Sequence, residues 1–227
     1  MKLCVRLSAV VALVVVVAMS ALAAPNSIGA IGSSTTSSTT TENPVSTDAS
    51  FQVRYASNLD IGESYVNITN SGASIKTTKS STSNGNICVN VYAFDPNEEM
   101  IACCSCRVTP DGLVSLGVNR DITVNPLTGA IPSSVVIKLL ATQPPSSGNC
   151  NAAAPGATAP GLAAWGTTLH PTPVPGTYAL TETAFTPATL SPGELTNLGS
   201  TCTFIENTGS GFGICNSCRV GGLVVPK

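Results

Sequence analysis

The sequence predicts a mainly β fold: a single disulfide-stabilised, antiparallel β-sandwich-like domain with one short helix in its C-terminal region. Three observations carry that expectation. From Phe51 onward, short runs alternate apolar and polar residues with the two-residue period of half-buried strands. Turn-forming stretches such as "NSG", "DPN" and "PDG" separate those runs. Eight of the nine cysteines also fall in this region, an even number suited to bridging.

The chain opens with Lys2 and Arg6, an apolar run ending at Met19, and the small residues "SALAA". This pattern reads as a signal peptide over residues 1–23, cleaved after Ala23, with Cys4 leaving in it. Retention as an anchor is the alternative, because the apolar run approaches spanning length. Residues 24–49 contain "SSTTSSTTTENPVST", which lacks the apolar surface to repay ordering and reads as a flexible linker. Residues 50–227 then form the domain. Without Lys2 and Arg6, eight basic residues face twelve acidic ones, a net charge of about −4. That balance argues against nucleic acid as a partner. No second apolar run is long enough to span a membrane, so the expected location is extracellular or periplasmic.

"FQVRYAS" places Phe51, Val53 and Tyr55 on one strand face, and "ESYVNITNSG" does the same with Val66 and Ile68. The Asn67-Ile68-Thr69 sequon reads as cross-strand polar surface. "KTTKSSTSNGN" is a polar loop. "ICVNVYAF", "MIACCSC" and "LVSLGV" form three strands joined by two turns, a β-meander. Pro96 starts a type I turn, and Pro110-Asp111-Gly112 gives a type I turn closed by a left-handed glycine. "SSVVIKLLAT" is apolar on both faces apart from Lys138, as a central strand should be. Residues 143–176, rich in Pro, Ala and Gly, read as one long connection pinned by Cys150. "TYALTETAF" is a further strand. Ser191, Pro192 and Glu194 then mark a helix start with a capping box, and Gly209 marks its end. Leu195, Leu198, Cys202 and Ile205 recur at helical spacing.

The disulfide candidates are Cys88, Cys103, Cys104, Cys106, Cys150, Cys202, Cys215 and Cys218. On a strand, Cys104 and Cys106 point to one face and Cys103 to the other. Hairpin register sets Cys88 opposite Ser105 or Cys106, within reach of Cys103 or Cys106. The other cysteines of the cluster are left to bridge to Cys150, Cys202 or the terminal pair, stapling the helix and tail to the sheet. A rival reading pairs Cys103/Cys106 with Cys215/Cys218 as a four-sulfur zinc site. More than a hundred residues separate the two pairs, and an oxidising location favours bridges over thiolates. A redox centre would need C-x-x-C at a helix start near a parallel βαβ unit, a context neither pair has.

Little else suggests chemistry, and the sequence assigns no catalytic, cofactor-binding or metal residue. His170 is the single histidine and has no hydrolase signature around it. Trp165 reads as a packing anchor for the Pro-rich loop, with a carbohydrate platform as the minor alternative. Asp95, Glu98 and Glu99 read as an exposed hairpin tip, being too few for a calcium loop. Glu182 and Glu194 form a carboxylate pair of unknown separation. "GSGFG" at 209–213 reads as a loop presenting Cys215.

The motifs "GNICVNVYAFDPNEEMIACCSCRVTPDGLVSL", "PSSVVIKLLAT", "LAAWGTTLH" and "GSGFGICNSC" resemble an uncharacterised family of secreted cysteine-rich hypothetical proteins of soil bacteria. That resemblance implies export from a bacterium, and it brings no activity, ligand or site residue. The functional expectation is a non-enzymatic structural or surface-binding domain with an extracellular or cell-surface ligand. The alternatives are a secreted hydrolase acting on an extracellular polymer and the four-cysteine zinc domain.

Overall fold

The computed structural model describes residues 49–77 and 82–216, all within a compact unit running from Pro44 to Lys227. The signal segment, nearly all of the linker and Cys218 lie outside the described residues. In chain order the strands are β1 (Phe51–Ala56), β2 (Tyr65–Asn70), β3 (Lys76–Thr77), β4 (Thr82–Ser83), β5 (Ile87–Phe94), β6 (Met100–Val108), β7 (Leu113–Gly117), β8 (Val135–Thr142), β9 (Leu162–Pro171), β10 (Tyr178–Ala184) and β11 (Thr186–Pro187). Helix α1 spans Pro192–Asn207. The polar stretch read as a loop therefore carries a small β3–β4 hairpin.

Two antiparallel sheets form the body. The larger has the order β11-β1-β8-β5-β6 and the smaller β10-β9-β2-β7. Val66, Ile68, Val89, Val91, Leu116, Ile137 and Leu139 fill the space between them and are almost wholly buried. Strand β8 is central, as its two apolar faces require. Its inner face supplies Ile137 and Leu139, and its outer face supplies Leu140 to a second core. There Leu198, Cys202 and Ile205 of α1 cover Phe51, Tyr92, Cys103 and Leu140. The helix thus adds a third layer on the outer face of the larger sheet.

Three expectations change. The β-meander is not formed: β5 and β6 make a hairpin, but β7 pairs with β2 in the other sheet. The turn before β7 explains the departure. Gly112 N–H donates to Thr109 O at 2.9 Å, and it is Asp111, not the glycine, that takes positive φ at 60°. Left-handed backbone at the third turn position defines a type II rather than a type I turn. The long connection is also not one: β9 occupies its middle and is the longest strand. Ala and Gly lowered its apparent β propensity, yet small residues suit a strand whose inner face lies close against the facing sheet.

The helix start follows the sequence in part. Ser191 Oγ accepts from Glu194 N–H at 3.0 Å, with Pro192 in the first turn. The Glu194 carboxylate does not complete the box. It accepts from Lys138 Nζ at 2.6 Å, which lets a central-strand lysine end in an ion pair. Near the other helix end, desolvation pushes the Glu206 carboxyl above its usual range. A raised folded pKa means the native state holds a proton that the unfolded chain gives up, so stability falls as pH rises through that window. Glu206→Gln is expected to flatten that decline, measured as unfolding midpoints between about pH 4 and pH 7, the range where a raised carboxylate titrates.

Candidate binding face and the cysteine framework

The first cysteine cluster staples both faces of β6. Cys103 bridges to Cys202 on α1, and its neighbour Cys104 bridges to Cys215 in the tail. The alternation read from the sequence places them so: Cys103 sits in the helix-side core, with Cys104 and Cys106 in the inter-sheet core. The tail also pairs with β6 through Cys103 N–H to Gly213 O at 2.8 Å. The 209–213 loop reaches this position with Gly209, Gly211 and Gly213 all at positive φ.

Cys88 behaves otherwise than expected. It lies opposite Arg107, one step beyond the foreseen register, and bridges to Cys150 across 62 residues. The register slips because a bulge between Ala93 and Phe94 absorbs one residue at the turn end of the hairpin. Cys106 is disulfide-bonded as well, and Cys218 lies outside the described residues. With Cys103 and Cys215 committed to other bridges, the four-sulfur zinc set named from the sequence is not assembled.

The remaining candidates are dispersed. The described hydrogen-bond partner of His170 is a hydroxyl, Thr181 Oγ1, at 2.9 Å from Nε2. Among the described residues no hydrogen bond joins His170 to a serine or a carboxylate. Glu182 lies on the outer face of the smaller sheet, while Glu194 lies on α1 beyond the larger one. Both sheets separate the two carboxylates, which removes the glycosidase-type pair. Asp95, Glu98 and Glu99 form an exposed tip, where Asp95 Oδ1 accepts from the N–H groups of Asn97 and Glu99.

What the sequence missed is a surface. Directly paired residues share a sheet face, so the register places Trp165, Asn67 and Ser115 in one row and Glu182, Thr167 and Tyr65 in the next. All point outward from the smaller sheet. Trp165 is 40% exposed in the middle of β9, so it is not the loop anchor expected from the sequence. Tyr65 adds exposed apolar surface one step along the neighbouring strand, and Leu180 and Tyr178 lie on the same face further along β10. Ser115 Oγ donates to Asn67 Oδ1 at 2.8 Å, and Asn67 Nδ2 donates to Glu182 Oε1 at 3.1 Å. A polar chain thus crosses the sheet beside the indole. Arg120 lies 5.8 Å from the Tyr65 ring centroid, and its hydrogen bond to Asp121 holds its pKa above the usual value.

A buried cation supports this face from beneath. Arg54, on the inner side of β1, donates through Nη2 to Thr168 Oγ1 at 2.8 Å and through Nε to Thr183 Oγ1 at 3.3 Å. Burial lowers its pKa, and Nη1 has no described partner. Glycine at 166, next to Trp165, leaves room for this side chain: a Cβ there would lie 2.4 Å from the guanidinium carbon, so Arg54 would have to shift. Comparison with protein-family models, with curated proteins and with solved structures finds no match.

Proposed function

We propose that this chain is an extracellular, non-enzymatic binding domain whose smaller sheet holds a neutral polysaccharide. The observation that carries the reading is the exposed Trp165 at the centre of a strand, flanked by Tyr65 and crossed by the Ser115–Asn67–Glu182 chain. A pyranose ring is apolar on its C–H faces and polar at its rim. Aromatic rings meet the faces, while amide, hydroxyl and carboxylate groups pair with ring hydroxyls. A regular sheet supports this because it presents the groups on a rigid, preformed surface.

Several bridges fit an oxidising location, and no helix among the described residues is long and apolar enough to cross a membrane. The resemblance to secreted bacterial cysteine-rich proteins agrees with export. Trp165→Ala is expected to weaken retention on insoluble β-glucan or chitin at least tenfold, with the unfolding midpoint nearly unchanged. Depletion assays of wild type and variant check this. Equal retention of both, or none of the wild type, contradicts the reading.

A further inference from the structure

We propose that a second site, the cleft at the end of the β5–β6 hairpin away from its turn, binds a hexuronate, with Arg107 recognising the carboxylate. The cleft measures about 430 Å³. That volume falls in the usual range for small-ligand sites. Arg107 stands on β6, and the wall facing it is the 143–148 segment that follows β8. That wall is fixed. Cys88, the cross-strand partner of Arg107, bridges to Cys150, and Gln143 N–H donates to Ala157 O at 2.8 Å.

The arginine is held ready for a ligand. With the Asn86 amide turned so that its oxygen faces the guanidinium, it accepts from Nη2 at 3.1 Å and Nε at 3.2 Å. Asn86 is 8% exposed and is itself held by Asn84 Nδ2 at 2.9 Å. A neutral amide thus fixes one edge of the fork and leaves the Nη1–Nη2 edge for a carboxylate. Among the described residues, none lining the cleft is acidic, and Arg107 has no ion pair. One fork balances a single negative charge better than a phosphate dianion. The lining otherwise combines the Asn84 and Gln143 amides with Pro144 and Pro160, polar and apolar surface of the kind a sugar ring needs.

Isothermal titration of the full chain with glucuronate, glucose and acetate tests the assignment. Glucuronate is expected to bind, with glucose and acetate each at least tenfold weaker, since each carries half of the recognised chemistry. Arg107→Gln is expected to weaken glucuronate at least tenfold, and Arg107→Lys, which keeps the charge but not the fork, by less. Ser146→Glu adds a negative charge to the cleft without touching Arg107 and is expected to abolish binding. It serves as the deciding variant if replacing Arg107 disturbs folding. Trp165→Ala is expected to leave glucuronate affinity unchanged, which separates this site from the sheet face. Acetate binding as tightly as glucuronate, glucuronate affinity indifferent to Arg107→Gln or Ser146→Glu, or no glucuronate binding at all overturns the proposal.

Discussion

Replacing Cys104 and Cys215 by alanine is expected to cost about 3 kcal/mol of stability, and replacing Cys103 and Cys202 about the same. Removing both bridges together is expected to cost about 6 kcal/mol or more, at least the sum of the two. Taken alone, the bridges close loops of 99 and 111 residues. A loop near that length restricts the unfolded chain by about 4.7 kcal/mol. They are not independent, however. Cys103 adjoins Cys104, and twelve residues lie between Cys202 and Cys215, so with one bridge closed the other completes a circuit of only about sixteen residues. Such a circuit is worth about 3 kcal/mol. A small domain commonly holds about 5–15 kcal/mol, so either loss leaves a weakened native state and both together threaten it. Guanidinium unfolding followed by Trp165 fluorescence measures the three values. Strict additivity at the long-loop value would show that the two bridges do not coexist in one molecule.

Leu140→Ala is expected to destabilise the domain by about 2–5 kcal/mol, as much as Leu139→Ala. The two leucines are consecutive on β8 and point to opposite faces, and both are 0% exposed. In a two-layer sandwich Leu140 would face solvent and its truncation would be nearly neutral. Here Leu198, Cys202 and Ile205 of α1 cover it. Chemical denaturation of the two variants checks the pair. A Leu140→Ala cost below about 1 kcal/mol, the range of surface substitutions, would mean the helix does not pack as described.

Strand identity was legible where alternation was strong. β1 and β2 follow from the alternation at Phe51 and Val66, β5 and β6 from β-rich runs between turns, β8 from a run apolar on both faces, and the opposite facing of Cys103 and Cys104 from the strand period. What escaped was long-range. The Asp111 conformation that sends β7 to the other sheet is a backbone choice that "TPDG" permits without requiring. β9 was hidden because "LAAWGTTLHP" has its apolar weight in alanines, and Gly166 makes room for Arg54, over a hundred residues earlier. The candidate face was invisible for the same reason. Trp165, Tyr65, Asn67, Ser115 and Glu182 come from four strands, and only register brings them together.

The adjacency of Cys103 and Cys104 also sets a timetable. Synthesis delivers the amino terminus first, so Cys88 can meet Cys150 while later sequence is still being made. The two neighbouring thiols must wait roughly a further fifty to sixty-five residues for Cys202 and then Cys215. During that interval they and Cys106 compete for the earliest partner to arrive. Thiol–disulfide exchange corrects such errors through mixed intermediates on a scale of seconds to hours, depending on oxidant and isomerase. Reshuffling at a single strand is therefore the expected slow step in refolding the reduced domain, and a disulfide isomerase is expected to speed it.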